Sequence, residues 1–205
     1  MRTKHSKHNT HKLLYAIYIA TVTLPFICMA GIYIWYHNQL DKIRNAQFIV
    51  VSKQDMRLRV FDYAGEKKAE YGIACGKNYG QKEKVGDMKT PEGIFHIVDV
   101  EDASNRTHDF GDGKGPIEGA YGPYFIRLDT PGCKGIGIHG THDPNSIGTR
   151  ATEGCIRLKN EDVSNLAEHV FPGEVVIVTS SLRDFEEAQS EAEKKEKKNG
   201  IWNIR

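Results

Sequence analysis

From Leu13 to Tyr36 the chain runs 24 residues without a charge. As a helix rising 1.5 Å per residue that is about 36 Å, enough to cross a bilayer. Arg2, Lys4, Lys7 and Lys12 precede the run, which predicts a cytoplasmic N-terminus and a body on the outer side. Trp35 and Tyr36 stand at its far end, where amphipathic rings favour the interface. Pro25 lies mid-run, at a place where a membrane helix tolerates a kink. A cleaved signal peptide is the competing reading, but the apolar region is long for one and Ile27-Cys28-Met29-Ala30-Gly31 makes a poor small-x-small cleavage site.

Beyond a polar connector the period shortens to two. Phe48–Ser52 and Arg57–Asp62 read as two strands joined by a turn at 53–56, with Leu58 and Val60 alternating against Arg57 and Arg59. Glu70–Cys75, Ile94–Val100, Tyr124–Leu128, Gly135–His139 and Glu174–Thr179 read as further strands, separated by Gly- and Pro-containing turns. Between them, Glu101 to Gly122 is irregular, with a Gly111-Asp112-Gly113-Lys114-Gly115-Pro116 core that suits no regular element. A loop of that length is either functional, here a cover over a cleft with Tyr121 and Tyr124 as walls, or a mobile insertion. The period returns to helical at Asn160, an expected N-cap followed by Glu161 and Asp162. Val163, Leu166, Ala167 and Val170 form its buried stripe, and Pro172-Gly173 ends it. Seven or so short strands and one main helix predict a mostly-β domain, sandwich or barrel-like, behind a single membrane helix. The chain divides into a basic terminus (1–12), an anchor (13–36), a connector (37–46), a folded domain (47–180) and a charged tail (181–205). In the tail, Glu191/Lys195 and Glu193/Lys197 have the i,i+4 order of a solvated helix or free extension, and Ile201-Trp202-Asn203-Ile204 is an apolar patch at its end.

Charge narrows the partners. The net charge is +1, from 28 Lys and Arg against 27 Asp and Glu. Removing the four basic residues of the first twelve leaves the remainder mildly acidic, so nothing in the body reads as a nucleic-acid surface.

Candidate chemistry centres on Gly137-Ile138-His139-Gly140-Thr141 and Thr152-Glu153-Gly154-Cys155-Ile156-Arg157-Leu158. His139 and Cys155 are 16 positions apart, enough chain to leave a strand, round a loop and return an imidazole to a thiol. A thiolate is the attacking species and an adjacent imidazole can take its proton. Alternation sends Ile136 and Ile138 to the core and His139 to the cleft. Gly154 can adopt a strained turn and let a carbonyl come close, with the amides near Gly154 and Cys155 as oxyanion donors. Arg157 can bind a substrate carboxylate or hold the loop. Cys133, His139, His142 and Cys155 also supply enough ligands for zinc, but strand alternation does not bring Cys133 and His139 to one point, so no metal is expected. Cys75 and Cys133 are the cysteines outside the membrane run and the site; in an external compartment they either pair or stay free.

These residues resemble the L,D-transpeptidases with the YkuD-type catalytic domain. That family carries a histidine, an interval of this length, then Ser or Thr, any residue, Gly, Cys, an apolar residue and Arg. His139, Thr152, Gly154, Cys155 and Arg157 match it in turn. Thr90-Pro91-Glu92-Gly93-Ile94-Phe95 resembles the family's Thr-Pro-x-Gly-x-Phe entry, and the likeness covers roughly Gln47 to Thr179. Many members have histidine before the Gly-Cys pair, where this chain has Glu153.

The resemblance implies a two-step acyl transfer on peptidoglycan stem tetrapeptides in the cell envelope, through a Cys155 thioester and without a cofactor. His139 would be the base, oriented by a carbonyl near Gly140, with Gly154, Arg157, Thr152, Gly140, Thr141, Tyr121 and Tyr124 around the substrate. The acceptor is a second stem peptide, an envelope protein or water, the last making an L,D-carboxypeptidase. A non-catalytic cell-wall-binding module is the alternative of another class. Sortases share the residue types but space His and Cys much farther apart, and papain-like hydrolases place Cys before His.

Overall fold

The computed structural model describes residues 4–44, 46–111, 113 and 115–198; the apolar patch at 201–204 lies outside them. The chain separates into two units, Met1–Ala46 and Gln47–Arg205. In the first, helix α1 (Lys4–Arg44) runs on through Pro25. Its segment Ile17–Asn38 is apolar enough to cross a membrane, with a mean hydropathy of 2.0 and none of its stretch buried within the protein.

The second unit contains strands β1 (Gln47–Ser52), β2 (Arg57–Asp62), β3 (Lys67–Gly72), β4 (Cys75–Gly76), β5 (Gly93–Asp102), β6 (Thr107–His108), β7 (Ile117–Glu118), β8 (Tyr124–Leu128), β9 (Gly137–His139), β10 (Arg150–Thr152), β11 (Ile156–Arg157) and β12 (Val175–Thr179), with helices α2 (Asn160–Ala167) and α3 (Leu182–Lys198). Eight strands form one sheet in the order β11-β9-β8-β5-β12-β1-β2-β3. The β1/β12 and β9/β11 pairs are parallel and the other neighbours antiparallel.

The sheet curls because its apolar face must bury one shared core. Leu58 and Val60 near one edge and Ile138 and Ile156 near the other join a single cluster with Val163 and Leu166 of α2. Curling brings the edges together: Ala74, just past β3, exchanges both backbone hydrogen bonds with Arg157 of β11, at 2.8 and 2.9 Å. The fold is thus mostly β and barrel-like. Edge strands that find partners in this way lose the open row of donors and acceptors that invites aggregation.

Four local expectations change. The third strand ends at Gly72, and Cys75–Gly76 pairs instead with β10. The stretch from Glu101 to Gly122 contains the β6/β7 ribbon, paired Thr107 to Glu118 and His108 to Ile117. Helix α2 is capped from Lys159 rather than Asn160, and the Asn160 side-chain Oδ1 instead accepts the Thr141 amide at 2.7 Å. Gly122 and Gly140 leave room for that side chain; a Cβ on either would lie 2.2 or 2.4 Å from its oxygen.

The tail is the fourth change. Asp184 of α3 is buried against Lys53 at 3.1 Å and Arg150 at 2.7 Å, and Lys53 also meets Glu92 at 2.5 Å. Glu191 and Lys195 pair with Lys89 and Glu83 of the body, at 2.8 and 2.7 Å, instead of serving as a pair along the helix. The first part of the tail is therefore docked. Cys75 and Cys133 are both buried and free.

Candidate functional site

Parallel pairing of β9 with β11 aligns Ile156 with Ile138 and Arg157 with His139. One position earlier on each strand, Cys155 falls beside Gly137. The thiol donates toward the Gly135 carbonyl at 3.4 Å, and the Gly137 backbone hydrogen-bonds the sulfur. Burial pushes the thiol up to about 11, reinforced by the Glu153 carboxylate and opposed by Gly137 and by the charges of Lys82 and Arg157.

His139 is buried at the end of β9. Its Nδ1 sits 2.6 Å from the Gly140 carbonyl, so the proton there is donated to that oxygen and Nε2 is left bare. Phe125, its cross-strand neighbour on β8, stacks parallel to the imidazole at 5.7 Å, and Tyr121 stands edge-on to it at 4.9 Å. Desolvation in this aromatic slot pushes the imidazole down to about 3, against the pull of the Gly140 carbonyl. Burial thus disfavours a charge on either group.

The other expected residues divide into those near the pair and those behind it. Tyr121 touches His139, and its hydroxyl is held above the usual range by burial and by the neighbouring Cys155 and Glu153 charges. The Arg157 guanidinium is buried and acts electrostatically on both His139 and Cys155. Its Nη1 donates to Ser146 Oγ at 2.9 Å, while its Nε has no partner among the described residues. It fastens the loop through the Ser146 hydroxyl.

Thr152 turns inward. Its hydroxyl donates to the Cys155 carbonyl at 2.6 Å and accepts the Gly154 amide at 3.2 Å. Thr152 thus ties the turn that carries Cys155, and the Gly154 amide, expected as an oxyanion donor, is already engaged. Gly154 does adopt a left-handed φ of +141°, but the space a Cβ would fill is taken by this chain's own Lys89 carbonyl, 2.8 Å away. Thr141 is also structural, its buried hydroxyl accepting the Asp143 amide at 2.8 Å. Gly140 serves through its carbonyl and through the room it leaves for Asn160. Tyr124 packs against the hydrophobic core; strand alternation puts its neighbour Phe125 on the opposite face, against His139.

Several neighbours were not visible in the linear sequence. Phe125 reaches His139 only through strand register. Lys82, nearly buried and 2.6 Å from Asp87, lies against the Gly154 turn from a loop that reads as polar surface. His108 and Phe110 arrive with the ribbon: His108 meets Glu153 and Tyr121, each at 3.1 Å. A histidine and a phenylalanine inside an otherwise polar flap were the one available signal.

Cys155 and His139 thus lie on neighbouring parallel strands of a curled, mostly-β domain, offset by two positions. The L,D-transpeptidase catalytic domain, YkuD, matches residues 46–178. The chain belongs to the L,D-transpeptidase family through this domain. The chain is similar to the Bacillus subtilis protein YqjB, named as an L,D-transpeptidase, at 32% identity over 68% of this chain and 75% of that one. YkuD of Bacillus licheniformis, likewise named, is 36% identical over 64% of each. Among solved structures, the helical cell shape determining protein of Campylobacter jejuni superposes with a TM-score of 0.50 at 26% identity, over 66% of this chain and 48% of that one. An L,D-transpeptidase from Mycobacterium smegmatis shares the fold, with a TM-score of 0.50 at 20% identity over 65% of this chain and 58% of that one. The chain therefore spans about half to three-fifths of these two solved chains.

Proposed function

We propose that this protein is a cysteine-dependent L,D-transpeptidase acting on peptidoglycan stem tetrapeptides, with Cys155 as nucleophile and His139 as base. The observation that supports this is the parallel β9/β11 pairing, which puts the Gly154-Cys155 turn on the strand next to that of a histidine whose tautomer leaves Nε2 bare. Attack begins with the proton passing from sulfur to Nε2 as the sulfur bonds to the carbonyl carbon of the third stem residue. The Cys155 amide is the proposed oxyanion donor. Collapse breaks the peptide bond, and the terminal D-alanine leaves as an amine carrying the proton from His139. An acceptor amine then loses its proton to His139 and attacks the thioester, which returns the free thiol and completes a crosslink.

Arg157 supplies a fixed positive charge beneath both groups and Tyr121 walls the imidazole. In this reading α1 is the envelope anchor, with a cytoplasmic N-terminus and the catalytic domain outside. The test is incubation of the full chain with disaccharide-tetrapeptide, followed by mass spectrometry. Crosslinked dimer, with D-alanine released, is expected. Tripeptide alone would assign carboxypeptidase chemistry, and no reaction would leave a binding module. Cys155→Ala is expected to abolish turnover and to keep the fold; turnover at the parent rate would refute the assignment.

A further inference from the structure

His108, on β6 of the flap, stands 45 residues before Glu153 in sequence, yet its Nε2 lies 3.1 Å from Glu153 Oε2. Its Nδ1 lies 3.1 Å from the Tyr121 hydroxyl. One neutral tautomer satisfies both contacts: Nε2–H donates to the carboxylate, and the bare Nδ1 accepts the tyrosine proton. Glu153 directly precedes Gly154 and Cys155, and the Tyr121 ring packs on His139. A single imidazole thus connects the turn that carries the thiol to the ring that flanks the proposed base. Phe110 secures the arrangement from outside, edge-on to His108 at 4.5 Å and tilted against His142 at 5.1 Å.

The His139 ring needs such a fastening. Its Nδ1 is hinged on one carbonyl and Phe125 supports one face. A second ring, edge-on to both His139 and Phe125 at 4.9 and 5.6 Å, restricts the tilt that would carry Nε2 out of line. Tyr121 is that ring, but it sits in a turn between Gly119 and Gly122, both at positive φ. Backbone of that kind does not fix a side chain by itself. The hydroxyl anchor on His108 does.

We propose that His108 is a positioning residue which, by joining Glu153 to Tyr121, makes closure of the flap and alignment of His139 with Cys155 one event. The proposal rests on the reading of Cys155 and His139 given above. It also assigns a use to Glu153, where many family members carry histidine: the carboxylate is the acceptor the flap histidine requires.

The test measures turnover of disaccharide-tetrapeptide by the full chain carrying His108→Ala, Glu153→Ala, both together, and His108→Gln, with Cys155→Ala alongside and melting temperatures throughout. Loss of alignment predicts a fall in kcat of about 10- to 100-fold for His108→Ala, larger than the change in KM. Because both residues act through one contact, the double variant should fall within about twofold of the worse single variant. Glutamine offers a donor and an acceptor at similar reach, so His108→Gln should recover most of the lost kcat. Wild-type kcat in His108→Ala, independent losses that multiply in the double variant, or a His108→Gln variant that folds but stays as slow as His108→Ala would each overturn the proposal. If Cys155→Ala is inactive while His108→Ala matches the parent, the latch alone fails. If Cys155→Ala turns over, the site reading fails first.

Discussion

At Cys155 and His139 the surroundings set the protonation state before any substrate arrives. The thiol, pushed up to about 11, and the imidazole, pushed down to about 3, are both neutral across the range in which the protein would work. The Cys155 hydrogen bond to the Gly135 carbonyl requires the same protonated sulfur. Forming a thiolate–imidazolium pair in the free protein would create two buried charges, and their mutual attraction at an effective dielectric near 20 is only about 4 kcal/mol at 4 Å. That recovers about three pKa units out of a far larger gap. In the proposed mechanism the proton would therefore move with the attack instead of ahead of it. The charged and titratable groups that act on the thiol are Lys82, Glu153, Arg157, Arg127 and Tyr121; of these, Lys82 and Arg157 favour the thiolate. Alkylation of Cys155 by iodoacetamide in the substrate-free protein should accelerate with pH and inflect above the ordinary thiol range. A profile already level between pH 6 and 8 would mean a pre-formed ion pair and would sink this account.

At the scale of elements, α3 shows what charge can conceal. Lys53 has no exposed side-chain surface and relies on Asp184 and Glu92 for compensation. Asp184 also accepts the Gly80 amide at 2.8 Å and the Ser181 amide at 2.9 Å. Burial pushes its carboxyl up, but these donors and Lys53 hold it down to about 2. Removing one member of a buried charge set leaves the others unpaired, so Asp184→Ala should cost about 3–5 kcal/mol in urea unfolding. Glu186→Ala, on an exposed face of the same helix, should cost little. Equal midpoints for the two variants would show that α3 is not docked through Asp184. In sequence this helix reads as solvated because its i,i+4 pairs satisfy that pattern by themselves; nothing local tells Glu191 to prefer Lys89, 102 residues away. The same limit explains the site. The Gly-Cys turn, His139 and its Gly140 hinge were legible because a few consecutive residues define them. Phe125 and His108 were not, because only strand register and the placement of the β6/β7 ribbon bring them in, and Tyr124 could not be told from Phe125 until the alternation of β8 was fixed. The strands themselves were legible wherever one face is buried. The two-residue ribbon Thr107–His108 with Ile117–Glu118 is too short to show a period.

For the whole molecule, the barrel-like closure that buries His139 also ties stability to pH. A neutral imidazole held at about 3 when folded, against an ordinary value near 6.5, refuses a proton that the unfolded chain accepts. Between those values the unfolded state binds more protons, so stability falls as pH falls. The contribution is complete above 6.5 and is lost progressively down toward 3. Asp184 acts in the same direction at lower pH, between its ordinary value of 3.8 and about 2. Glu174 and Asp162, both raised by burial, oppose them. Between pH 6.5 and 5 the histidine contribution to the free energy of unfolding should drop by about 1.4 kcal/mol per pH unit at the steepest, and the difference between the parent and His139→Gln separates it from the carboxyls. Urea unfolding of the full chain in detergent, followed by circular dichroism, measures this slope. His139→Gln should flatten that interval relative to the parent while keeping the acid loss below pH 4 that Asp184 contributes. If the parent is already flat between pH 6.5 and 5, the imidazole is not held neutral by the closed sheet. The tautomer that leaves Nε2 bare for the thiol's proton would then lose its physical basis as well.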